Sequence, residues 1–282
     1  MIPRTYGAKM SEQQNWNYIQ WDPSKIARFW DFASHWEPWR TDYFSYQVGR
    51  GIVNFVQYLT PLEGKVLDYG CGIGDLSHFL LNAGIACEGL DSSIDSVTST
   101  NQRFQGNPLW GGAQLSTGKQ IPYEDNTFDF IFFIETIEHL IPENISGLLK
   151  EVRRVLKPQT GKLFISTPNS ENLSMSQIYC PSCNTVFHRY QHISSFNKES
   201  LFRLMSENGF QTLYCDNTHF GRFQEPFIKP IKDWNLNYIG ELHKRLMMQI
   251  LDQLWPTKLL TDSRQFKALV GEGAHLFWMG SK

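Results

Sequence analysis

One nine-residue run, Val66-Leu67-Asp68-Tyr69-Gly70-Cys71-Gly72-Ile73-Gly74, limits what this chain can fold into more than any other stretch. A short buried-strand pattern runs into alternating glycines, and Asp75 to Ala83 then sets Leu76, Phe79 and Leu80 on one helical face. Strand, tight turn and helix in that order open a parallel α/β unit. Glycine lets the backbone turn sharply and approach a ligand where a Cβ would collide, and the first amides of the helix are free to face it. The dinucleotide pattern G-x-G-x-x-G fails from either start. Counted from Gly70 it needs glycine where Asp75 stands, and counted from Gly72 it needs glycine where Ser77 stands. Asp68, just before the turn, suits a ligand carrying an ammonium group better than a pyrophosphate.

The alternation continues. Ala86 to Leu90 reads as a second strand ending at Asp91, where a carboxylate can accept both hydroxyls of a ribose; a plain helix cap is the other reading of Asp91. A helix is expected over Ser93 to Phe104, strands over Ala113 to Leu115 and Phe128 to Ile134, a helix over Ile145 to Leu156, and a strand over Lys162 to Ser166. After a helix over Lys198 to Asn208, stopped by Gly209, two more strands are expected at Phe210 to Cys215 and His275 to Met279. Strands alternating with helices predict a doubly wound α/β sheet. Around this core (61–219 and 274–282) the pattern predicts three additions. These are an aromatic-rich N-terminal cap over 1–60, a loop over 170–195, and a helical insertion over 220–273. The insertion carries the stripe Leu236, Ile239, Leu242, Leu246, Ile250, Leu254, closed by Trp255-Pro256.

Composition narrows the function classes. With 26 Lys and Arg against 28 Asp and Glu and no block of like charge, a broad grip on nucleic acid or an anionic membrane is not expected. The longest apolar run, Phe130 to Ile134, is far too short to span a bilayer, and no export signal is apparent, so a cytoplasmic location is expected.

The segments VLDYGCGIG, EGLDSS, IPYEDNTFDFIFFIETIEHL and LLKEVRRVLKPQTGKLFISTPN resemble, in order and spacing, the class I S-adenosylmethionine-dependent methyltransferases, in the group that includes ubiquinone-biosynthesis-type O-methyltransferases. The resemblance runs from about Lys65 to Phe210. It implies a Rossmann-like seven-stranded sheet with its last strand antiparallel. It also implies S-adenosylmethionine held by Asp68, Gly70, Cys71 and Gly72, by Asp91 and Ser92 at the ribose, and by Ile134 and Glu135 after the fourth strand. Where such proteins often present an acidic residue to the adenine, this chain has Thr117, beside Ser116 and Gly118. From the cap, Tyr43 and Tyr46 are expected to close over the cofactor, with Arg50 reaching its carboxylate; a solvated helix position is the other reading of Arg50. Glu135 and His139 are candidate catalytic residues, His139 as a general base toward an acceptor hydroxyl. Alternatively Glu138 and His139 form a structural pair.

A second motif stands apart: Cys180-Pro181-Ser182-Cys183, then His188, then His192. Two thiolates separated by two residues and two imidazoles one helical turn apart are expected to hold one zinc ion tetrahedrally, as a closed structural site ordering the loop. The other cysteines, Cys71, Cys87 and Cys215, fall within or beside strands as small buried residues. The expectation is an enzyme methylating a small molecule, most simply at oxygen, such as a sugar, a polyketide-like compound or another biosynthetic intermediate. An RNA or protein methyltransferase using the knuckle-like loop, and a non-catalytic cofactor-binding partner protein, are the alternatives.

Overall fold

The computed structural model describes residues 16–224 and 273–282, with nine positions between 235 and 250. The chain opens with β1 (Asn17–Tyr18), α1 (Pro23–His35) and α2 (Phe44–Leu59). There follow β2 (Val66–Tyr69), α3 (Asp75–Asn82), β3 (Cys87–Asp91), α4 (Ile94–Arg103), β4 (Trp110–Leu115) and β5 (Phe130–Ile134). Next come α5 (Pro142–Val155), β6 (Lys162–Pro168), β7 (Gln177–Cys180), β8 (Thr185–His188), α6 (Lys198–Glu207), β9 (Gln211–Thr218) and β10 (His275–Ser281).

Among the described residues, seven strands form one sheet in the order β4-β3-β2-β5-β6-β10-β9. The first five are parallel, and β10 runs antiparallel to both β6 and β9. The expected doubly wound sheet with an antiparallel last strand is therefore present. Its central strands β2, β5 and β6 are buried on both faces, so they read as near-continuous apolar runs, and the two-residue period sorts the side chains of the sheet. Val66, Phe130, Phe132, Phe164 and Phe277 pack on one side with α2 and α3. Leu67, Ile131, Phe133, Ile165 and Trp278 pack on the other with α5 and α6.

Helix α2 corrects the expected boundary at residue 60. Ile52, Phe55 and Val56 are fully buried against the sheet, so this helix belongs to the core packing. Strand ends shift by a few residues; Phe128, for instance, makes only an isolated bridge to Leu156 before β5 begins. The stretch expected as a loop over 170–195 contains the β7–β8 hairpin, which β1 extends into a second, three-stranded sheet. In the expected insertion, Leu236, Ile239, Leu246 and Ile250 are exposed; Leu254, Trp255 and Pro256 lie outside the described residues.

The strand order reverses between β2 and β5, and the glycine turn follows β2 at that point. Open α/β sheets bind ligands in this crevice, outside the carboxyl ends of the strands.

Candidate active site

A cavity of about 640 Å³ opens at the reversal point. At one end lies the glycine turn. Gly70 has φ +78°, and a Cβ there would sit 2.6 Å from Thr136 Oγ1. Gly72 has φ +51° and would meet nothing within 4 Å on its open side, so its backbone is bare toward the cavity. Asp91, from the end of β3, closes over the turn. Its Oδ2 accepts the Gly72 N–H (2.8 Å) and its Oδ1 the Ser93 N–H (2.9 Å). Burial raises the Asp91 carboxyl above its ordinary value, and the N–H bonds from Ser93 and Gly72 oppose that. Cys71, Ser92, Thr117, Gly118 and Ile134 also face the cavity, as does Tyr43, whose hydroxyl donates to Ala33 O (2.8 Å). Beside Thr117, Gly118 N–H donates to Ser116 Oγ (3.1 Å), which leaves the Thr117 hydroxyl and local backbone as the polar groups at the expected adenine position.

The start of α3 carries Asp75, which accepts from Arg103 (2.8 Å) and Arg40 (3.4 Å). These two guanidiniums offset the Asp75 charge, so the glycine turn and Asp91, and not Asp75, are the groups that bear on the ligand. The cradle fits S-adenosylmethionine on this ground: a bare glycine backbone that side chains would fill, and Asp91 beside it.

Three expected contacts are corrected. Asp68 does not line the cavity. It is buried beneath the turn, its Oδ2 accepting the Ser77 hydroxyl (2.7 Å), and burial pushes its carboxyl up to about 7. Strand alternation turns it away from the ligand side and toward α3. Arg50 is exposed on α2 and lies over the Phe79 ring, 6.0 Å from its centroid, so it does not reach the cofactor end. Tyr46 is likewise exposed and absent from the cavity wall, near Arg40.

At the other end, residues far apart in sequence converge: Glu135, His139, Glu171, His192 and His275. Glu135 directly follows β5 at φ +48°, a left-handed conformation uncommon outside glycine. Its Oε1 accepts the Ser166 hydroxyl (2.7 Å), and its Oε2 lies 3.4 Å from His275 Nε2. Burial pushes the Glu135 carboxyl to about 8, with Glu171 adding repulsion. Burial, together with the imidazoles of His192 and His188, pushes His139 down to about 3. A ring that basic only near pH 3 is a weak proton acceptor at neutral pH, where a useful base titrates nearby. It is, however, uncharged there and so has a lone pair to offer. Glu138 is fully buried, and neither carboxyl oxygen makes a well-formed hydrogen bond within the chain. Burial, then the neighbouring Glu135, drives its pKa well upward. A buried carboxyl left this way is costly unless something pairs with it.

The four expected zinc ligands do not come together. The hairpin pairs Cys180 with Thr185 at its tip and Gln177 with His188 at its base. His188 is thus three residues along the strand from the cysteines, about 10 Å at the rise of a β-strand. Period and turn chemistry put the thiols and the imidazoles at opposite ends. His188 and His192 instead meet Glu171: His192 Nδ1 bonds to Oε2 (2.5 Å), and His188 Nε2 lies 3.3 Å from Oε1. The backbone N–H groups of Tyr190 (3.3 Å) and His192 (3.2 Å) point at His188 Nδ1. Amides can only donate, so Nδ1 is the acceptor and Nε2 carries the proton facing Glu171. His188 Nε2 therefore has no lone pair for a metal. The donor set that remains is Glu138, His139 and His192, whose ligand atoms lie within 4.8 Å of one another.

Sequence reasoning missed Glu171, His275 and Gln191. None sits in a motif, and only the fold brings them here. Gln191, buried at φ +62°, accepts the Trp30 Nε1–H (2.8 Å) and donates to His139 O (3.0 Å), tying the roof helix α1 to the segment after β5.

The model of a methyltransferase domain matches residues 39–214, more than half of the chain. The ubiquinone biosynthesis O-methyltransferase of Idiomarina loihiensis is 27% identical over 261 residues, covering 85% of this chain and 98% of that protein. Among solved structures, phosphoethanolamine N-methyltransferase 2 of Haemonchus contortus, in complex with phosphomonomethylethanolamine and S-adenosylhomocysteine, shares the fold with TM-score 0.57 at 17% identity, over 93% of this chain and 59% of that one. A Haloferax volcanii methyltransferase complex with the Trm112 activator gives TM-score 0.57 at 15% identity, over 90% and 96%. With the glycine cradle and the switch-point cavity, the match places this chain in the methyltransferase-domain family, as a class I enzyme that depends on S-adenosylmethionine.

Proposed function

We propose that this enzyme transfers the methyl group of S-adenosylmethionine to a hydroxyl oxygen of a small, partly apolar acceptor. One observation carries the reading: a single cavity holds both the glycine turn with Asp91 and, at its far end, the Glu135–His139–Glu171–His192 cluster. Its volume of about 640 Å³ lies within the usual range for small-molecule sites. In this reading Gly70, Cys71 and Gly72 carry the methionine part, Asp91 and Ser92 the ribose, and Thr117 and Gly118 the adenine edge. The aromatic groups Trp30, Trp39 and Tyr43 of the N-terminal segment roof the cavity and exclude water. In the transfer, the acceptor oxygen forms a bond to the methyl carbon as the carbon–sulfur bond breaks. The sulfur would keep the bonding pair as a neutral thioether, and the hydroxyl proton would pass to the Glu171–His192 pair that lines the same end of the cavity. Holding oxygen, carbon and sulfur in line inside a closed pocket is the main contribution such a site makes.

We infer that Glu138, His139 and His192 hold a divalent cation, because the buried Glu138 carboxyl is otherwise left without a well-formed partner. His192 Nδ1 faces Glu171 and His139 Nδ1 faces Gln191 O (3.4 Å); an acceptor on Nδ1 keeps the proton there and leaves the Nε2 lone pair for a metal. Such an ion would lower the pKa of an acceptor hydroxyl. This also assigns His139 a role consistent with its low basicity, as a neutral ligand in place of a general base.

The test is a panel of small hydroxylated compounds, small amines, RNA and protein, each incubated with enzyme and S-adenosylmethionine, with mass spectrometry following S-adenosylhomocysteine and methylated product. An O-methyl product with at least one small hydroxylated compound supports the reading. Turnover only with amines, RNA or protein would refute the oxygen and small-molecule assignments.

A further inference from the structure

The thiol pair that the imidazoles leave behind has a geometry of its own. Cys180 ends β7, Cys183 lies in the turn, and Asn184 closes the turn at φ +54°. Two thiols separated by two residues on a tight turn are spaced to share one tetrahedral ion. The Tyr179 hydroxyl donates to Asn184 Oδ1 (2.9 Å) and the Thr185 hydroxyl to Cys183 O (3.0 Å), so the turn is braced before any ligand arrives.

The pair supplies only half of a tetrahedral shell. Cys71, Cys87 and Cys215 are buried in the main domain. Among the described residues, no group of three clustered donors includes Cys180 or Cys183. The residues outside the description contain neither cysteine nor histidine. A two-fold axis through the ion would supply the other two ligands as an identical pair from a second molecule. The surroundings suit such an approach. Cys183 is exposed, and β7 is the outer strand of the three-stranded sheet, with Ile178 and Tyr179 exposed along it. An unpaired edge with apolar side chains is a template for a second strand.

We propose that Cys180 and Cys183 form half of a four-thiolate zinc site, completed by the same pair of a second copy of this chain. Binding releases the thiol protons and changes no oxidation state; two thiolates from each copy enter one ion's shell. The ion is structural, since its shell is closed by protein, and it is separate from the donors at the cavity.

The experiment uses the full chain, metal-free and reduced, titrated with Co²⁺ as the probe, with absorption and sedimentation followed together. In the His192→Ala protein, where the cavity donors do not compete for cobalt, the sulfur-to-cobalt band is expected to saturate at half an ion per chain while the mass doubles. Zn²⁺ should displace the cobalt and keep the dimer, and a chelator should return the monomer. Cys180→Ser and Cys183→Ser should each abolish both signals, while His192→Ala should leave both, because it touches only the cavity donors. Saturation of the sulfur band at one ion per monomer would overturn the shared site. So would absence of the band, or a dimer indifferent to both cysteine variants. A Cys180–Cys183 disulfide that persists through reduction and excludes metal would assign the pair to redox chemistry and equally overturn the proposal.

Discussion

Replacing Asp91 by Ala tests the cofactor assignment at its most loaded residue. The carboxylate does two things in the structure. It accepts the N–H groups of Gly72 (2.8 Å) and Ser93 (2.9 Å), bracing the turn, and it faces the cavity where a ribose would lie. A hydrogen bond to a charged acceptor contributes about 1.5–3 kcal/mol net. Water entering the truncated site recovers part of that, so a net loss of about 1.4–2.7 kcal/mol, or roughly 10- to 100-fold in Kd, is expected. Asp91→Asn should not rescue it, because one amide oxygen cannot satisfy two backbone donors and its NH₂ would face one of them. Isothermal titration with S-adenosylhomocysteine reads the change directly and needs no acceptor. Circular dichroism on the same samples shows whether the sheet is intact. An Asp91→Ala protein that is folded and binds within about 3-fold of the wild type would refute the ribose assignment.

Gly70→Ala is expected to lower stability by about 1–3 kcal/mol and abolish cofactor binding, since a Cβ at φ +78° would meet Thr136 Oγ1 at 2.6 Å; thermal melts and titration check it. For Asp68 the sign follows from its raised carboxyl. In the folded state it titrates near 7 against an ordinary value of 3.8, so its contribution to stability is full below pH 3.8 and is lost as pH rises through 7. Asp68→Asn mimics the protonated form, and its melting temperature relative to wild type should rise between pH 5 and pH 8; a constant difference would refute this. Phe55→Ala, at a fully buried position, should cost about 3–5 kcal/mol in denaturant melts, and a small loss would show that α2 is dispensable to the core. His192→Ala should weaken Mn²⁺ binding at the cavity at least about 10-fold, read by paramagnetic relaxation of water; unchanged binding would remove the cation from that site.

Much of the fold was legible because its signals are local. The period-two sorting of Phe130 to Ile134, the 3.6-residue stripes of α5 and α6 and the failure of the dinucleotide pattern at Asp75 all act within one element or its neighbour. The same holds for Gly70, Gly72 and Asp91, which lie at strand ends where the doubly wound topology itself locates a ligand. What the sequence could not decide depended on how segments meet. Cys180, Cys183, His188 and His192 read as one ligand set along the chain, but strand pairing stretched the hairpin between them and sent the thiols outward and the imidazoles inward. Asp68 and Arg50 had suitable charge and nearly suitable position, and each was turned off the cavity by the face of its own element. Glu171, Gln191 and His275 carry no motif at all; they meet the segment after β5 only because β6 ends, β10 begins and the loop beyond β8 passes at the same edge of the sheet. Tertiary structure alone also made His139 a poor base and left Glu138 buried without a well-formed partner, since both follow from burial that no single segment encodes.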